Sequence, residues 1–149
     1  MPKPRKAKVF YKEELAGNIS ETKDGTQESR IILINIAKKE SAHKTSRAFN
    51  SITPLAFSHD TTTPTVLALA RKNGWFRPIF YNFINNRASE ISHTSFQGDI
   101  WVIRWNKIEN TLLLCDVHEA QQTLYLYNIL TKQAKSIGPK NGSFNFHFI

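Results

Sequence analysis

One cysteine, Cys115, stands in a chain of 149 residues. No intrachain disulfide can form, which excludes a disulfide-stapled scaffold and fits a reducing compartment. Cys115 follows Leu112, Leu113 and Leu114, so it is expected to be a buried thiol packing as a small hydrophobe. The five histidines, His43, His59, His93, His118 and His147, are scattered and never at ligand spacing such as His-x-x-x-His. With a single thiol they specify no structural zinc site. A phosphate-binding Gly-rich loop, a dinucleotide fingerprint and a Gly-x-Ser-x-Gly nucleophile turn are all missing. The small polar cluster of Asp116, His118 and Glu119 is expected in a solvated loop. No catalytic residue, cofactor or metal is therefore expected, and the chain reads as a non-enzyme.

Long hydrophobic runs are lacking too. No apolar stretch approaches the ~18 residues of a membrane span. The opening "MPKPRKAK" is basic but has no apolar segment of the secretory kind. A cytoplasmic protein with no membrane partner is the expectation. Helix signals are weak: "KKESAHKTSRAF" could carry a turn, but β-branched residues, Pro54 and Pro64 discourage anything longer.

What is present is a globular composition, 40% hydrophobic and 11% aromatic, enough for one domain with a sizeable core. Lys and Arg outnumber Asp and Glu by 20 to 12, a formal charge of +8. That balance favours phosphate-bearing partners and carries no information about fold.

The chain also echoes itself. "IILINIAKKE" from Ile31, "PIFYNFINNR" from Pro78 and "TLYLYNILTKQ" from Thr123 align, bringing Asn35, Asn82 and Asn128 into register 47 and 46 residues apart. Phe10, Phe57 and Trp105 fall 47 and 48 apart. Three copies near 8–54, 55–101 and 102–149 thus share one plan of about four short strands, after a basic arm over 1–7. In the third strand, Ile79-Phe80-Tyr81 and Leu124-Tyr125-Leu126-Tyr127 are apolar at every position, which predicts burial on both faces. The fourth strand is polar, as a protected edge should be. Four strands in roughly 45 residues, with a buried centre and polar rim, describe a β-propeller blade. The expected fold is all-β: about three four-stranded antiparallel repeats of 46–48 residues forming a partial or open propeller. Three blades do not close a ring, so the chain is expected to be part of a longer propeller or to assemble with copies or partners.

The third copy carries more specific words. Trp105-Asn106-Lys107, the apolar strand Leu112–Cys115, Asp116-Val117, Gln122–Tyr127 and Pro139–Gly142 occur in order. This resembles the propeller of eukaryotic translation initiation factor 2A, over about the last two-thirds of the chain; the propeller in subunit b of initiation factor 3 offers a second resemblance. The resemblance implies a non-catalytic role in translation initiation, binding RNA or the small ribosomal subunit with initiator tRNA. Two rival readings are a WD40-like protein-interaction scaffold, docking partners or copies through exposed blade faces, and the propeller segment of a prolyl oligopeptidase-type peptidase without its catalytic domain.

Two basic features are candidate RNA contacts. Lys3, Arg5, Lys6 and Lys8 make an N-terminal arm able to neutralise phosphates. In "ARKNGWFRP", Arg71, Lys72 and Arg77 flank Trp75 and Phe76 around Gly74. Cations beside aromatics suit unpaired nucleotides, because a base stacks while its phosphate is neutralised.

Overall fold

The computed structural model describes residues 6–11, 14–23, 26–35, 40–44, 51–58, 65–83 and 85–138, with side chains at 29–31 and from 51 onward. Twelve strands follow one another: β1 (Lys6–Tyr11), β2 (Glu14–Lys23), β3 (Thr26–Asn35), β4 (Glu40–Lys44), β5 (Ile52–Phe57), β6 (Thr65–Lys72), β7 (Trp75–Asn82), β8 (Arg87–Glu90), β9 (Asp99–Asn106), β10 (Thr111–His118), β11 (Gln121–Asn128) and β12 (Ala134–Ile137). They form three separate four-stranded sheets, β1–β4, β5–β8 and β9–β12, each a meander in chain order. No helix occurs among the described residues. The all-β class stands.

The chain divides into two compact units. One comprises Met1–Lys72 and Ile79–Ser89, the other Asn73–Pro78 and Glu90–Ile149. In the first, Ile31 of β3 joins Ile52, Phe57, Val66, Ala68, Ile79 and Tyr81 in one buried cluster. In the second, the core lies on one face of the β9–β12 sheet. Leu114 pairs with Val102 and Tyr125, and Leu112 with Trp105 and Tyr127. Phe96, from the segment before β9, covers that face with its ring 5.2 Å from Tyr125 and 6.3 Å from Tyr127. The opposite face is buried at Cys115 and Leu124 but open one row further on. There Arg104, Leu113, Leu126 and Lys135 lie side by side, with Leu126 42% exposed.

The expected partial propeller is therefore corrected. The strands pair into three separate, open four-stranded sheets, and none closes a ring. Burial of β11 on both faces also fails at Leu126. The physical reason lies in what the repeat encodes. Asn82 and Asn128 each end a third strand, and their side chains close the following turn. Asn82 Oδ1 accepts the Asn85 N–H at 3.3 Å, and Asn128 Oδ1 accepts those of Leu130 and Thr131 at 2.9 Å. Asn106 does the same between β9 and β10, accepting the Glu109 N–H at 3.2 Å. Each turn then places one residue at positive φ, Asn86, Asn110 and Lys132. Asn82 and Asn128 are local hairpin chemistry, which any succession of four-stranded meanders needs; the side chain of Asn35 lies outside the described residues. They carry no instruction for stacking sheets around an axis.

Candidate functional site

The site lies at one end of the β10–β11 hairpin. His118 pairs with Gln121, Asp116 with Thr123 and Leu114 with Tyr125. Alternation along a strand then puts Asp116 and His118 of β10 on the same face as Gln121, Thr123 and Tyr125 of β11. Between the strands stands a two-residue turn, Glu119 (φ 49°) and Ala120 (φ 63°). Both are left-handed, as a type I′ turn requires, although neither is the usual Asn or Gly. Together with Gln97 and Glu119 these side chains enclose a polar cleft of about 330 Å³.

Asp116 anchors the cleft. It is 4% exposed, and its two carboxylate oxygens accept the backbone N–H groups of Gln97 and Gly98, each at 2.8 Å. Charge-assisted bonds of this kind are about twice as strong as neutral ones. They hold the segment before β9 against β10, so closely that a Cβ on Gly98 would stand 1.9 Å from the Val117 carbonyl oxygen. A glycine is required there by contact. Tyr125 adds a longer hydrogen bond, its hydroxyl donating to the Ser95 carbonyl at 3.4 Å. Burial, and then the negative charge of Asp116, push the Tyr125 phenol above its ordinary value; the same two causes in the same order raise the Cys115 thiol.

Beside the cleft, the start of β7 is fastened to the same segment. The Phe76 N–H donates to Asp99 Oδ1 at 2.8 Å. The Arg77 guanidinium donates to the Phe76 and Gly98 carbonyls. The Phe76 ring meets Trp101 at 5.2 Å. Trp75 is left 40% exposed, its ring 6.1 Å from that of His118 and tilted by 57°. Trp75 and the cleft thus share His118 as a common wall. The turn before Trp75 is Asn73 (φ 51°) and Gly74 (φ 83°), the Asn-Gly pair favoured for two-residue hairpins.

The residues singled out as RNA contacts are thus placed differently from one another. Trp75 is exposed at a hairpin end, and Arg71 and Lys72 are exposed at the end of β6. Phe76 and Arg77 are half-buried and hold β7 in place. Lys6 and Lys8 fall on β1 with side chains outside the described residues; Lys3 and Arg5 lie outside them altogether, as do His59 and His147. Asp116 and His118, expected in a loop, belong to β10; Glu119 alone is in the turn. Sequence reading missed the cleft. Its signal was the alternation Asp116, His118, then Gln121, Thr123, Tyr125 across a two-residue gap. No group of three or more His, Cys, Asp or Glu side chains among the described residues is arranged to hold a metal ion.

No family model matches the chain, and no curated protein matches it. The resemblance to the initiation factor 2A propeller does not survive: its described words fall in one open four-stranded sheet, β9–β12, Asp116-Val117, read as a loop, is strand, and Pro139–Gly142 lies outside the described residues. The initiation role it implied falls with the propeller. So do the WD40-like scaffold and the prolyl oligopeptidase segment, both of which presuppose stacked blades.

Proposed function

We propose that this protein is a binding module for single-stranded nucleic acid, with Trp75 as the platform on which a base stacks. The observation that carries this reading is the rigid mounting of an exposed indole. Trp75 is 40% exposed, yet the next two residues are tied down by the Phe76–Asp99 hydrogen bond at 2.8 Å and by the Arg77 bonds to the Phe76 and Gly98 carbonyls. A fixed aromatic loses little entropy when a base settles on it, and stacking on such a platform contributes about 1–3 kcal/mol per base. The net charge of +8 supplies general attraction to a phosphate backbone. Arg71 and Lys72 are the cations that precede the Asn73-Gly74 turn in sequence, and both are exposed.

The test is fluorescence anisotropy of a labelled single-stranded RNA or DNA oligonucleotide titrated with protein at low salt. Trp75→Ala is expected to weaken binding by roughly 5- to 100-fold. The double variant Arg71→Glu, Lys72→Glu is expected to weaken it and to flatten the dependence on salt by about one unit of slope for each phosphate no longer neutralised. Absence of binding at low salt, or a Trp75→Ala protein that binds like the parent, would overturn the reading.

A further inference from the structure

The polar groups of the cleft lie next to Trp75, where the edge of a stacked base would come. We infer that the cleft reads that edge and selects a base that donates hydrogen bonds, guanine first and uracil last. This inference rests on the nucleic-acid reading above and specifies its ligand.

Three features point to it. First, place: His118 pairs with the Trp75 ring and also lines the cleft, so the cleft adjoins the indole on which a base would stack. Second, the tilt of 57° between the two rings means that His118 does not stack flat on the indole and leave no face for a base. Third, chemistry. The acidic side chains lining the cleft are Asp116 and Glu119. Asp116 is committed to the backbone of Gln97 and Gly98. Glu119 is 84% exposed, with only a distant 3.8 Å approach to His118 Nε2. A carboxylate accepts hydrogen bonds and donates none.

The base edges then separate. Guanine offers a ring N–H and an exocyclic amine side by side, which a carboxylate can accept together, and its remaining carbonyl can be met by a Gln121 amide. Adenine and cytosine offer one amine. Uracil offers one N–H between two carbonyls, and each carbonyl would face a carboxylate oxygen. Glu119 sits on a turn in which both central residues are left-handed, so its Cα–Cβ bond leaves the hairpin at the end that bears the cleft, and its exposed carboxylate can turn to meet a base edge.

The experiment compares two oligonucleotides with the intact protein, one all uridine and one with guanosines interspersed among uridines. The guanosine-containing strand is expected to bind about tenfold more tightly. Glu119→Gln, which keeps the turn and removes the charge, is expected to erase most of that difference while leaving the uridine strand bound as before. If the parent protein binds both strands equally and Trp75→Ala abolishes both, the edge-reading inference fails and the stacking platform stands. If neither strand binds, both readings fail. If an arginine-rich peptide binds the cleft and Glu119→Gln abolishes that binding without altering base preference, the cleft takes a cationic side chain and the inference is overturned.

Discussion

Replacing Asp116 with alanine removes the acceptor of two backbone N–H groups at once. Both bonds are 2.8 Å long, the carboxylate is 4% exposed, and Gly98, one of the donors, is itself buried. A hydrogen bond to a charged partner contributes about 1.5–3 kcal/mol, and a donor left buried and unsatisfied loses its hydration without replacement. The Gly98 bond carries most of the cost, because Gln97 is exposed and its N–H can take water instead; about 2–4 kcal/mol is expected for Asp116→Ala, a sizeable share of the roughly 5–15 kcal/mol typical of a whole domain. Asparagine is the informative second variant. Its amide has one oxygen, so it can keep one bond while its NH₂ faces the other donor; about half the alanine penalty is expected. Urea unfolding followed by tryptophan fluorescence measures both, with Trp101 on β9 as a reporter inside the same unit. The m-value is expected to stay constant while the midpoint falls. Hydrogen exchange at the Gln97 and Gly98 amides should accelerate in both variants. An alanine variant within about 1 kcal/mol of the parent, with those two amides still protected, would refute the view that this carboxylate holds the segment before β9 onto β10.

Two glycines should respond unequally to the same added methyl. Gly98→Ala would drive its Cβ to 1.9 Å from the Val117 carbonyl oxygen, so the unit should lose several-fold more stability than the roughly 1 kcal/mol expected of Gly74→Ala; Gly74 has φ +83° but nothing within 4 Å of an added Cβ. Equal thermal midpoints for the two variants would contradict the close approach. At high pH the buried thiol and phenols should act together. Cys115 is raised from 9.0, and Tyr125 and Tyr127 from 10.0, by burial first in each case. The unfolded chain therefore loses these protons before the folded one does. Their contribution to stability is complete below pH 9.0 and declines as pH rises past it. Urea midpoints should be insensitive to these groups near neutrality and fall above pH 9.0, less steeply at first in Cys115→Ala. A parent midpoint that held steady or rose in that range would be inconsistent with the burial.

Much of the local structure was legible in the residues. The recurrence of groups of about four short strands was read from the residues and is seen as three four-stranded sheets, whereas the turn-closing bonds of Asn82 and Asn128 came only from the structure. The burial of Cys115 followed from its apolar strand. The candidate site was only half legible. Trp75 could be named, but Phe76 and Arg77 read the same way and proved to be fasteners for β7. Asp116 looked like loop polarity because its partners, the N–H groups of Gln97 and Gly98, leave no mark on the sequence.

By itself, then, the sequence determined an all-β chain of recurring groups of about four short strands, since strand and turn signals are local and act through neighbouring residues. The structure decided that the strands pair into three separate four-stranded meanders. It also decided that Leu126 faces solvent while Leu124 does not, and that a buried carboxylate holds the segment before β9 beside an exposed indole. Those outcomes depend on which surfaces meet across long stretches of chain, and side-chain spacing along one strand does not encode what lies opposite it.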